Sequence, residues 1–216
     1  MSGSIDLQSL LDAGQQRQLA ESQANRARLH LKAQCDVSGL LPRSLLDALI
    51  AADAFPAADF FLGAKSVAIA SSLYRDVRGN IRADIVQAFI AGGANLVIDN
   101  IALRIPAIAD LARALARRLG RRVGVNAYLT CGPVSAFRPH FDPHDVLALQ
   151  LAGAKHWRGY GKADLNRDGT IPDDISTLWE QTLESGDLLY VPLGEIHDAV
   201  PEKIPSLHLT FGLSSR

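Results

Sequence analysis

The sequence is short of several things, and each shortage excludes a class of protein. Its 216 residues include only two cysteines, Cys35 and Cys131. They are far apart and form no metal-type pair, so a disulfide framework or a thiolate zinc site is not expected; free thiols in a reducing cytoplasm are. Neither sign of charge is in excess: 22 Lys and Arg stand against 23 Asp and Glu, a formal net charge of −1. Without surplus cations to neutralise phosphates, nucleic acid is not expected as a partner. No apolar run reaches membrane-spanning length, and the start Met1-Ser2-Gly3-Ser4 lacks the charged and apolar parts of a signal peptide. Internal repeats and low-complexity tracts are also missing. What remains is 48% hydrophobic, enough for one domain of good size or a domain with a modest extension.

The first half of the chain is patterned for helices. Leu7, Leu10, Leu11 and Leu19 recur at helical spacing within residues 5–31, with Gly14 as a possible break. The wide polar faces suit a docked surface helix or a homodimer contact. A second helix is expected over residues 42–54, opened by Pro42 and stopped by Pro56. Residues 66–74 read as a strand, 82–91 as a helix ended by Gly92-Gly93, and 95–99 as a short buried strand. Pro106 to Leu119 carries Ile108, Leu111, Leu115 and Leu119 on one helical face, with Gly120 as its stop. The cations of its last turn and just beyond, Arg117, Arg118, Arg121 and Arg122, are favourable at a helix C-terminus in their own right.

From Val123 the pattern changes to short strands separated by turns: 123–130, 137–142, 146–152, 155–160, 179–183, 188–191 and 206–213. Helices first and strands afterwards give α+β, and a double-sheet jelly roll is the barrel type that suits a strand-borne site.

Within that second half, His140-Phe141-Asp142 places an imidazole and a carboxylate two apart in an extended segment, hence on one side. A second imidazole, His197, arrives more than fifty residues further on, past the apolar run Gly186 to Pro192 and its exit Leu193-Gly194. Two His and one carboxylate from separate strands make the facial triad of non-heme Fe(II) oxygenases, which leaves coordination positions open. His144 competes as a ligand but follows Pro143 in a turn, so a supporting or substrate-facing role is expected. His30 reads as a surface residue; His156 and His208 lie within strands, where a hydrogen-bonded wall histidine is the default.

Asn126, Tyr128 and Thr130 alternate with Val125, Ala127 and Leu129 and so share one strand face. That face is either inside a barrel or toward solvent. Lys155 alternates with Trp157 and Gly159; a lysine pointing into a barrel needs a counter-charge, and the distal carboxylate of 2-oxoglutarate is one. Arg158, on the other face, reads as a surface cation.

Taken in order, Asn126 to Thr130, Pro139-His140-Phe141-Asp142, Asp145 to Gln150, Gly153 to Trp157, Ser185 to Pro192, His197, and Ser206 to Thr210 resemble the JmjC/cupin-like, ribosomal oxygenase-type family of Fe(II)- and 2-oxoglutarate-dependent oxygenases. The resemblance covers roughly residues 92–213. It implies a double-stranded β-helix preceded by a helical region, with residues 1–60 as an arm packed on a catalytic domain of residues 61–216. It further implies that His140, Asp142 and His197 hold iron and that Lys155, Asn126 and Tyr128 hold 2-oxoglutarate. O₂ would then hydroxylate a C–H bond of a protein or peptide side chain, or of an amino-acid-like metabolite, with release of succinate and CO₂. Leu193 stands where this family often has Arg, and Glu195-Ile196 where bulky aromatics often precede the distal His. The sequence also stops where members that modify ribosomal proteins continue into helical and winged-helix parts, so those parts are expected to be absent or replaced by the arm. Two alternatives use the same fold: a cupin metalloprotein that does not use 2-oxoglutarate, and a non-catalytic binding module. Neither explains Lys155 beside Asn126 and Tyr128.

Overall fold

The computed structural model describes residues 5–64, 67–134, 137–162, 165, 170–172 and 174–215. Among them no helix is long and apolar enough to cross a membrane, and both cysteines are free.

The helical half begins with α1 (Leu7–Leu10) and α2 (Ala13–Asn25). Each opens on a reciprocal capping box, Asp6 with Ser9 and Asp12 with Gln15, which satisfies otherwise unpaired first-turn N–H groups. The periodicity read as helix to Leu31 stops earlier: Arg26 adopts the left-handed conformation at φ 52° and ends α2. Leu29–Lys32 is instead a strand, β1, which pairs with a strand far along the chain. Pairing between distant segments outweighs helical spacing there, and no Gly or Pro announces the change. The helices α3 (Arg43–Ala51), α4 (Ala83–Ala91) and α5 (Pro106–Leu119) follow. The last has Pro at its first turn, and Gly120 at φ 66° as its cap. It buries Ile108, Leu111, Ala112 and Leu115.

The strands are β2 (Phe60–Ala64), β3 (Val67–Ala68), β4 (Asn95–Ile98), β5 (Arg122–Thr130), β6 (Asp145–Gly161), β7 (Trp179–Glu184), β8 (Asp187–Val191) and β9 (Ile196–Ser214). All described pairings are antiparallel, in the order β1-β8-β6-β9-β5-β4-β2-β3, with β7 on the free part of β6. The result is the jelly-roll α+β fold expected. Most of the apolar core lies between the sheet and the helices, while Val146, Ala148, Trp157, Leu183, Leu189 and Val191 form a smaller cluster on the other face.

Four strand expectations are corrected. The strand read over 66–74 is reduced to Val67–Ala68, with Ser66 outside the described residues, and Phe60–Ala64 takes the place beside β4. Residues 137–142 form no strand; His140 makes one antiparallel bridge, with its N–H and C=O both bonded to His197 at 3.0 and 2.8 Å. The segments 146–152 and 155–160 are one 17-residue strand. The strand read over 206–213 is part of β9, which runs for 19 residues and takes in His197, just past β8 as expected.

The bulges in β6 between Gln150 and Lys155 decide which side chains meet. Val146 and Ala148 face the interior cluster, and strict alternation would turn Lys155 away from them. The bulged residues shift the parity by one, so Lys155 and Trp157 join Val146 on the inner face. Gly153 makes this possible: it sits at φ 65°, and a Cβ there would lie 2.4 Å from the carbonyl oxygens of Lys203 and Pro205. Gly153→Ala is expected to cost about 2 kcal/mol or more in urea unfolding. A change within a few tenths of a kcal/mol would show that the bulge is not tightly held.

Candidate functional site

His140, Asp142 and His197 come together at one end of the roll, their candidate ligand atoms all within 4.8 Å of one another. Asp142 Oδ2 is 3.5 Å from His197 Nε2, close to the ~3 Å expected of neighbouring donors about 2.1 Å from a shared ion. The backbone bridge between His140 and His197 fixes their spacing. Each imidazole is then turned by the same local device. His140 Nδ1 lies 2.9 Å from the Arg138 carbonyl and His197 Nδ1 lies 2.9 Å from the Glu195 carbonyl. A carbonyl only accepts, so each Nδ1 carries the hydrogen and each Nε2 keeps its lone pair. Burial, and then the adjacent His140, lower the pKa of His197. Both effects keep it in the neutral form that a metal requires. Trp157 stacks on His197 with ring centroids 5.7 Å apart, and Phe137 packs against His140 at 5.6 Å.

The triad borders a cavity of about 290 Å³ whose walls include Asn126, Tyr128, Lys155 and His208. The polar face of β5 therefore looks inward. The Asn126 side-chain Oδ1 accepts the Asn100 backbone N–H at 3.1 Å. Burial pushes the Tyr128 hydroxyl up to about 12, so it stays a donor. Lys155 is 5% exposed, and burial alone pushes its ammonium down to about 7. Among the described residues nothing pairs with that ammonium. Trp157 Nε1 and His208 Nδ1 are likewise buried without a hydrogen-bond partner. A buried ammonium and a buried indole N–H that find no acceptor suit an anion.

The structure thus brings together all six residues singled out in the sequence, and it revises the roles of two others, His208 and Arg158. His208 is more than a wall residue satisfied by a hydrogen bond. It lies opposite Tyr128 in the β5–β9 register, stacks on that ring at 4.8 Å, and is held well below the usual imidazole range by burial and by Lys155. Its alternation with Thr210 and Gly212 on the cavity side was the available signal. His144 also lines the cavity, its ring against Gly212 and its Nδ1 3.1 Å from the Asp145 carbonyl. Arg158 is not a plain surface cation: its guanidinium grips both carboxylate oxygens of buried Asp198, with Nε 2.9 Å from Oδ1. His156, as expected, is a hydrogen-bonded strand histidine, with Thr182 as its partner at 3.1 Å.

Comparison with known proteins follows the same lines. The chain is 44% identical over 99 residues to the bifunctional lysine-specific demethylase and histidyl-hydroxylase NO66 of Dictyostelium discoideum, which is 41% of this chain and 19% of that protein. It is 39% identical over 108 residues to ribosomal oxygenase 1 of Gallus gallus, 44% of this chain and 18% of that one. The alignments therefore span about a fifth of the length of these curated relatives. Among solved structures, Escherichia coli ycfD superposes with a TM-score of 0.66 at 17% identity, covering 98% of this chain and 55% of that one. YcfD, a ribosomal oxygenase, in complex with cobalt and 2-oxoglutarate gives 0.61 at 18% identity, over 88% and 48%. At such identities these structures speak to the fold alone. The JmjC domain family itself matches residues 102–216, more than half of the chain, and this protein belongs to that family.

Proposed function

We propose that the protein is an Fe(II)- and 2-oxoglutarate-dependent oxygenase that hydroxylates a C–H bond of a polypeptide side chain, releasing succinate and CO₂. The observation that carries this reading is the pairing of the His140, Asp142 and His197 cluster with an unpaired, buried Lys155 in one cavity. The donor set fits the metal: both imidazoles present a lone pair at Nε2, and the carboxylate stands beside them. The cavity fits the co-substrate too, with Lys155 to neutralise one carboxylate and Asn126 and Tyr128 to orient it. Iron with O₂ and 2-oxoglutarate would supply the oxidation itself; the chain supplies open coordination positions, a charged anchor and a screened cavity. We assign residues 61–216 as the catalytic domain and residues 1–60 as an arm packed on it, in a protein of the cytoplasm.

The surroundings of the mouth favour a polypeptide over a metabolite. The cavity shares Val97, Tyr128 and Phe137 with a shallow apolar groove of about 470 Å³. That groove also contains Phe61 and Val67, 43% and 69% exposed. The names of the relatives, histidyl-hydroxylase and ribosomal oxygenase, point the same way.

Adding Fe(II) and 2-oxoglutarate to the protein without oxygen is expected to produce a weak visible charge-transfer band that needs both additions. Well-folded protein that shows no band would sink the oxygenase reading.

A further inference from the structure

We propose that Trp179 is a positioning residue of the metal centre, acting through Glu195 on the ring of His197. The inference rests on the reading of His197 as a metal ligand. Besides its stacking on Trp157, that imidazole is oriented by the hydrogen bond from Nδ1 to the Glu195 carbonyl at 2.9 Å. Glu195 belongs to a surface turn in which its own N–H bonds the Pro192 carbonyl at 3.1 Å and Gly194 sits at φ 75°. The turn's backbone is tied to the site by the Leu193 N–H to Asp145 Oδ1 at 2.8 Å and the Gly194 N–H to the Asp142 carbonyl at 3.2 Å, and neither bond reaches the Glu195 side chain. The indole of Trp179 adds a tether at Glu195 itself, its Nε1–H donating to the Glu195 carboxylate.

Three further contacts show that this tether is built into the fold. Trp179 pairs with Gly159 across β6–β7, and Gly159 pairs with His197 across β6–β9. The indole therefore reaches Glu195 over the one residue that separates it from the imidazole's own strand. A Cβ on Gly159 would come within 1.9 Å of the ring, so glycine there is what lets the indole lie over the strand. On its other side the Arg28 guanidinium sits 4.6 Å from the ring centroid. That cation–π contact holds the indole down from the segment between α2 and β1. Arg28, Trp179 and Glu195 thus form a chain of contacts from the N-terminal arm to the distal imidazole.

The probe is Co(II) alone, titrated into the whole protein and followed by its visible ligand-field absorption, with no turnover involved. Trp179→Phe keeps a ring over Gly159 and removes only the N–H. Glu195→Ala removes the acceptor, and Glu195→Gln keeps one. The first two are expected to bind Co(II) about threefold to tenfold more weakly with a shifted spectrum, somewhat less than the 10–100-fold typical of a direct partner of a ligand. Glu195→Gln is expected to stay within about twofold of the parent protein, with circular dichroism melting midpoints alike in all three. Parent-like affinity and spectrum in both Trp179→Phe and Glu195→Ala would overturn the proposal, as would a loss in Glu195→Gln equal to that in Glu195→Ala. His197→Ala separates the two levels: if it binds Co(II) as well as the parent, the ligand assignment itself has failed.

Discussion

His140→Ala is expected to weaken Fe(II) binding by roughly 100-fold or more and to bring succinate formation down to background. Changes to groups that merely orient a metal ligand cost 10–100-fold, and removing the ligand should exceed that. The fold should survive. His140 is only part-buried, and its backbone bridge to His197 does not involve the side chain. Iron content after anaerobic reconstitution, succinate release and a melting curve on one preparation separate lost metal from lost structure. Continued 2-oxoglutarate turnover by an iron-loaded His140→Ala protein would remove His140 from the ligand set. His144, which lines the same cavity, would then be the next residue to replace.

Replacing Lys155 by methionine should move function and stability in opposite directions. Truncating one partner of a buried charge pair costs 2–5 kcal/mol in binding, roughly 30-fold to several-thousand-fold in affinity. The variant should therefore bind 2-oxoglutarate far more weakly. It should nevertheless be the more stable protein at neutral and acidic pH, because in the parent the ammonium is buried with nothing to offset it. The sign follows from linkage. In the unfolded chain Lys155 titrates near 10.5, and in the folded protein burial brings it down to about 7. Below pH 7 both forms carry the proton, and the folded state bears the full cost of a buried charge. Between pH 7 and 10.5 the unfolded state holds more protons, so this residue's contribution to stability rises with pH. Above 10.5 both forms are neutral and the cost is gone. The whole displacement corresponds to roughly 4–5 kcal/mol as an upper limit. Urea unfolding at pH 6 and at pH 10 should show the advantage of Lys155→Met shrinking between the two. An advantage that is absent at pH 6, or that grows with pH, would show that the ammonium is not buried unpaired.

On the proposed reading, the same titration should shape co-substrate binding. A carboxylate partner favours the ammonium, so above pH about 7 binding should take up a proton and affinity should fall as pH rises. Calorimetry of 2-oxoglutarate binding in two buffers of different ionisation enthalpy reads that uptake directly. On the proposed reading, Lys155 gives up local stability for a binding site.

Much of this was legible in the sequence because the signals are local and periodic. Two-residue spacing put His140 beside Asp142, and alternation put Asn126, Tyr128 and Thr130 on one face. Pro106 and Gly120 marked the ends of α5 because proline and glycine act through their own backbones. The candidate ligands and the candidate lysine anchor were picked out by residue type and short spacing, which do not depend on where the strands run.

Long-range pairing decided the rest. β1 is a strand because β8 offers it an edge, and nothing within Leu29–Lys32 announces that. Alternation placed Lys155 with Trp157 but could not relate it to Val146, since the bulges that shift the parity are visible only against β9. The same holds for His208, whose place opposite Tyr128 is a matter of register. Residue types and short spacings determine which chemistry is available in this chain. Strand register, a property of two segments at once, decides which of those side chains share a cavity.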